Sequence, residues 1–227
     1  MLIILVVGLA LATAALWFVR RSKGSSPMLV TEYEGIEYTH RVLWQIVEDQ
    51  ARLAAQRERD WFAPSLVAMV FAFHTVEAYI NFVGENLAPD LWADEQNYFR
   101  KQPYRGWNGK LRKVLELVNI EWAPDQRPLK TLLALKELRD AIAHGKAERF
   151  SDAIQPAPPD DGMPWLPTSR IRSMVTPKGT LDDMLTDVKA LLDRIHKEAA
   201  PRINDPFHAA CAVEGPSAWI SRSTSLK

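Results

Sequence analysis

The chain has 227 residues, with 28 basic and 28 acidic side chains and no formal net charge; 47% is hydrophobic and 25% charged. These proportions lie in the ordinary globular range and exclude a wholly disordered or collagen-like chain, and the length suits one domain with appendages. The single cysteine, Cys211, excludes an internal disulfide and a multi-cysteine zinc site, while charge neutrality leaves only a local basic patch to attract nucleic acid.

Residues 1–19 carry no charge, and Arg20, Arg21 and Lys23 follow at once. A helix over this run is roughly 28 Å long, close to the roughly 30 Å hydrocarbon core of a bilayer. Trp17 suits the headgroup zone, and the three cations belong on the cytoplasmic side. The expectation is one N-terminal transmembrane anchor at the inner, cytoplasmic membrane, with the N-terminus outside and the body in the cytoplasm. A cleaved signal peptide is the rival, because residues 10–15 include small side chains, but the cations follow the apolar run instead of preceding it. A start at Met28 would instead give a soluble protein. Without the three cations, 25 basic residues face 28 acidic ones.

Residues 20–38 read as a linker, flexible over 24–27. Apolar positions Val42, Leu43, Ile46, Val47 and Leu53 predict a helix over 39–60. Pro64 suits the first turn of a second helix, 63–88, whose body from 66 to 83 is apolar on nearly every side and so belongs at the centre of a bundle. A polar and aromatic loop over 89–107 leads to a third helix near 108–120. Pro128 opens a fourth, with Gly145 as its expected C-terminal cap. Six of the 15 prolines fall in 151–179, which speaks against a helix in this insertion and leaves 170–175 as a short strand. Thr180 caps a last helix over 181–199, with Asp182 and Asp183 matching the dipole of its first turn. Residues 201–227 read as a loosely ordered tail. The predicted fold is all-α: an up-and-down bundle of four to five helices over 39–200, behind one membrane helix.

No glycine-rich phosphate loop, His-Glu-x-x-His or Gly-x-Ser-x-Gly motif is present, and the five histidines (40, 74, 144, 196, 208) show no ligand spacing. Neither a metal nor a cofactor is expected. The informative segment is 132–145, where four residues separate Arg139 from His144 at a helix end. This spacing resembles the signature of the HEPN superfamily of helical bundles. The helix 66–83, with its Glu77-Ala-Tyr-Ile-Asn81 turn, is similar to that superfamily's preceding core helix. Catalytic members are metal-independent ribonucleases that work as dimers; others bind nucleotides or serve as scaffolds. The resemblance therefore implies a membrane-tethered endoribonuclease, in defence or stress response. His144 would be general base or acid at the RNA 2′-hydroxyl, Arg139 would neutralise the phosphorane-like charge, and a 2′,3′-cyclic phosphate would form. The alternative is a non-catalytic scaffold that binds a nucleotide or an unknown protein at the membrane.

A helical wheel gives an independent view. With Leu135 at zero, Arg139 lies at about 40°, inside the apolar face, and His144 near 180°. Glu77 falls about 20° from Leu66 on its own helix. A buried charge needs an opposite partner, so Glu77 and Arg139 are expected to face each other, as part of a site or as an ion pair that fixes helix register. Asp140 and His144, at i and i+4, suit a carboxylate that orients an imidazole, or a simple helix cap. Because Arg139 and His144 diverge, a composite site in a homodimer is expected.

The window 97–113 holds Arg100, Lys101, Arg105, Lys110, Arg112 and Lys113 with no acidic residue, interleaved with Tyr98, Phe99, Tyr104 and Trp107. Cations for phosphates and rings such as Tyr104 and Trp107 for base stacking point to RNA. A solvated loop, or one resting on anionic lipid, is the other reading.

Overall fold

The computed structural model describes residues 29–57, 60–147, 169–176, 179–204, 212–213 and 218–225. The expected membrane helix, Cys211 and most of the proline-rich insertion lie outside the described residues. The chain forms two units, 1–36 with 218–227, and 37–217.

In the first unit, strand β1 (Leu29–Ile36) pairs antiparallel with β2 (Ala218–Ser225). Leu29 faces Ser225, Glu32 faces Arg222 and Ile36 faces Ala218. Both segments contain residue types that favour strands, Val30 and Tyr33 in one and Trp219 and Ile220 in the other. The expected linker 20–38 and loose tail 201–227 are corrected here, since each contains one strand of this ladder. Each strand is short and half polar, and its partner lies almost the whole chain away, so local pattern carries little of the signal.

In the second unit the regular structure of the described residues is helical: α1 (Thr39–Ala55), α2 (Phe62–Leu87), short α3 (Pro89–Ala93) and α4 (Glu95–Tyr98), α5 (Gly106–Leu117), α6 (Leu129–Ala143), short α7 (Arg170–Val175) and α8 (Thr180–Ala199), which runs into a 3-10 turn. Helix α2 is central, packing against α1, α5, α6 and α8. Its Met69, Phe73, Val76, Tyr79, Ile80 and Val83 are fully buried. This helix is long and apolar enough to cross a membrane, yet half of its most apolar window is covered by its own unit. Burial on several sides accounts for apolar side chains around the whole helix. Leu111 and Val114 of α5, Leu132, Leu135 and Leu138 of α6, and Leu191, Leu192 and Ile195 of α8 meet it, at the three- and four-residue spacing that lines one helix face. At Gly84 the missing side chain makes room for the Trp92 ring, which a Cβ would approach to 2.0 Å.

The expected strand at 170–175 is instead α7. Pro167 and Pro177 lie outside it, and the Ser169 side chain caps it by accepting from the Arg172 N–H at 3.1 Å. Helix α6 closes at Ala143, and the His144 N–H bonds to the Asp140 carbonyl at 3.0 Å. His144 is the C-cap in place of the expected Gly145, which has no positive φ. Gly179, with φ of 82°, occupies the N-cap of α8 in place of Thr180.

One ion pair fastens the start of α6 to α8. Arg127 Nε donates to Asp187 Oδ2 at 2.6 Å, and the Thr131 hydroxyl donates to the same oxygen. Burial by itself raises the Asp187 carboxyl, but the hydrogen bonds from Arg127 and Thr131 outweigh it and hold the group below its usual range. Asp187 therefore adds stability above the ordinary carboxylate range, and that stability is lost as pH falls through its lowered folded value. An Asp187→Asn variant should melt a few degrees below the wild type at pH 7, with the gap closing in strong acid. A gap that does not change with pH would contradict this assignment.

Candidate active site

Helix α2 carries a polar stripe, His74, Glu77 and Asn81, at three- and four-residue spacing in its otherwise mostly apolar middle. His74 Nδ1 lies 3.2 Å from Glu77 Oε2. Across the packing seam with α6, Glu77 Oε1 is 3.9 Å from Arg139 Nη2. Arg139 Nη1 lies 2.8 Å from Asp140 Oδ1, and Lys136 Nζ donates to Asp140 Oδ2 at 2.6 Å. The Arg139 guanidinium sits over the Phe73 ring, 4.7 Å from its centroid, and Trp107 packs against the same ring at 4.8 Å. A planar cation on an aromatic face, between two carboxylates, is held in a fixed orientation.

The Asp140 carboxyl is held below its usual range, chiefly by the hydrogen bond from Lys136, with the charges of Lys136, Arg139 and His144 adding to it against burial. Its short contacts go to Lys136 and Arg139. The expected hold of Asp140 on the His144 ring is thus replaced by a longer-range attraction. His144 itself is exposed at the helix end.

Glu77 and Arg139 do face each other, but at the rim of the core. Their side chains are 34% and 25% exposed, so the pair is not the buried one expected. A wheel gives direction from the helix axis and not depth, and the long arginine stem carries its head outward. Such a pair contributes no more than about 1 kcal/mol. His74 and Lys136 were not among the candidate residues, although their spacing to Glu77 and Asp140, three and four residues, is visible in the sequence.

Three of the six cations of the basic window are paired with two acids just outside it. Lys110 donates to Glu95 at 2.7 Å and to Asn81 at 3.3 Å. Arg112 and Lys113 lie 3.3 and 3.6 Å from Glu116, and the Tyr104 hydroxyl donates to Glu116 at 2.6 Å. Tyr104 stacks on Tyr98, Phe99 is buried, and Trp107 faces Phe73. Arg100, Lys101 and Arg105 are exposed. The segment therefore offers three solvent-facing cations instead of a six-cation stripe.

A cavity of about 540 Å³ lies elsewhere, walled by Trp61, Val175, Leu181 and Asp182 among others. Among the described residues, no group of three or more His, Cys, Asp and Glu side chains is placed to hold a metal ion. No family model, curated protein or solved structure matches the chain. The functional reading therefore rests on the geometry of α2 and α6.

Proposed function

We propose that the chain is a membrane-tethered, metal-independent endoribonuclease of the HEPN type, with residues 1–19 as the tether and the bundle in the cytoplasm. The observation that supports this reading best is the fixed guanidinium of Arg139, seated on Phe73 at the rim of the α2–α6 seam, little more than one helical turn before the exposed His144. Cleavage through the 2′-hydroxyl needs no external nucleophile; it needs a cation on the non-bridging oxygens and proton transfer at the entering and leaving oxygens. Arg139 supplies the first, and His144 one of the transfers.

Pairing of two copies at the end of α6 is a second arrangement of the same site. It is favoured by Ile142, a large apolar side chain 39% exposed two residues before His144.

The full-length chain is expected in the membrane fraction. Purified from it in detergent, it should cut labelled RNA in the presence of EDTA, leaving 2′,3′-cyclic phosphate and 5′-hydroxyl ends. Recovery of the full chain as a soluble protein would sink the tether; intact RNA would sink the nuclease.

A further inference from the structure

Cleavage at a 2′-hydroxyl moves two protons, one off the 2′-oxygen as it attacks phosphorus and one onto the 5′-oxygen as it leaves. His144 is one imidazole for this work, and α2 carries another. The His74 side chain is 41% exposed, and its Nδ1 lies 3.2 Å from Glu77 Oε2. Phe71 and Phe73 flank the ring, with centroids at 6.5 and 5.7 Å. A carboxylate that accepts from Nδ1–H fixes the tautomer and leaves the Nε2 lone pair to take a proton. Glu77 from the same helix is the charged group in contact with this ring, and Glu77 in turn faces Arg139 of α6 at 3.9 Å.

The contacts run in series from α2 to α6: His74 meets Glu77, Glu77 faces Arg139, and Arg139 pairs with Asp140, one helical turn before the exposed His144. His74 thus lies on the α2 side of the Arg139 cation, and His144 follows it by five residues at the end of α6. A reaction that builds charge on phosphorus while protons move at two oxygens uses one cation and two proton-transfer groups.

We propose that His74, oriented by Glu77, is the general base of the RNA cleavage assigned above, and that His144 is the general acid; the inference rests on that nuclease reading. His74 Nε2 takes the 2′-hydroxyl proton as the O2′–P bond forms. The P–O5′ bond breaks, and His144 gives its proton to the departing 5′-oxygen. The products are a 2′,3′-cyclic phosphate and a 5′-hydroxyl, and proton exchange with water returns both rings to their starting states. Glu77 is a positioning residue.

The test compares His74→Gln and His144→Ala, each in the full chain, on ordinary RNA and on RNA with sulfur at the scissile 5′-bridging position. A thiolate leaves without being protonated, so this substrate has no need of the acid. His74→Gln should lose about 10²–10⁴-fold on both substrates, and the acid limb of its pH–rate profile should vanish. His144→Ala should lose activity on ordinary RNA and recover on the sulfur substrate. A His74→Gln chain with the wild-type rate and pH profile would leave the His74–Glu77 contact as a surface ion pair and overturn the inference while the nuclease reading stands. Rescue of His74→Gln by sulfur would overturn the assignment of roles. A wild-type chain that leaves RNA intact would overturn both readings.

Discussion

Replacing Arg139 with alanine is expected to lower RNA cleavage about 10²–10³-fold, since a preorganised cation acts most strongly where charge develops. The guanidinium is already fixed by Phe73 and Asp140 in the free protein, so little reorganisation is left for the moment of reaction. Arg139→Lys should restore only part of the rate, because an ammonium lacks the planar fork and its fit to an aromatic face. His144→Ala should lose about 10²–10⁴-fold, the usual range for one proton-transfer group. His144 is exposed, so its variant should melt with the wild type. Mixing the Arg139→Ala and His144→Ala chains then locates the site. Recovered activity would place it across two copies, and continued inactivity would place it within one. Wild-type cleavage by either single variant would remove that residue from the mechanism.

The largest stability effect is expected at Phe73. Its ring is fully buried, with Trp107 at 4.8 Å and the Arg139 guanidinium at 4.7 Å. Phe73→Ala should cost about 3–5 kcal/mol, combining the lost transfer energy with the cavity left in the core. Denaturant unfolding should show this as a lower midpoint at an unchanged slope. Phe73→Leu refills most of the volume and should recover most of the stability. It has no aromatic face for Arg139, however, so cleavage should stay reduced. An alanine variant as stable as the wild type would mean that the ring is not part of the core.

The helices of the body were largely legible because each buries one face, or nearly all of itself. Leu132, Leu135 and Leu138 announce α6, Val188, Leu191, Leu192 and Ile195 announce α8, and the unbroken apolar run after Pro64 announces a central α2. What escaped depends on information outside the window being read. The strands Leu29–Ile36 and Ala218–Ser225 are specified by each other across the whole chain. Helix α7 is decided by one serine cap between two prolines. The basic character of 97–113 is changed by Glu95 and Glu116, which lie immediately beyond its ends. At the site, the wheel placed Glu77 opposite Arg139 correctly but could not tell rim from interior. The His74–Glu77 spacing is visible in the sequence, but a histidine three residues before a carboxylate on an apolar helix carries no signal that separates it from an ordinary surface pair.

The terminal ladder also bears on the order of events during synthesis. Its two strands are separated by the entire body, so pairing them closes a very large loop, and a two-stranded sheet on its own is only marginally stable. Loop closure of this kind becomes favourable once the intervening chain has condensed. At about 5–20 residues per second, β1 leaves the ribosome many seconds before β2 exists. Throughout that interval Leu29–Ile36 is an edge without its mate, open to pairing with any extended segment nearby. Among the described elements the ladder is thus expected to form last on a nascent chain, and its amide hydrogens should exchange before those of the buried helices.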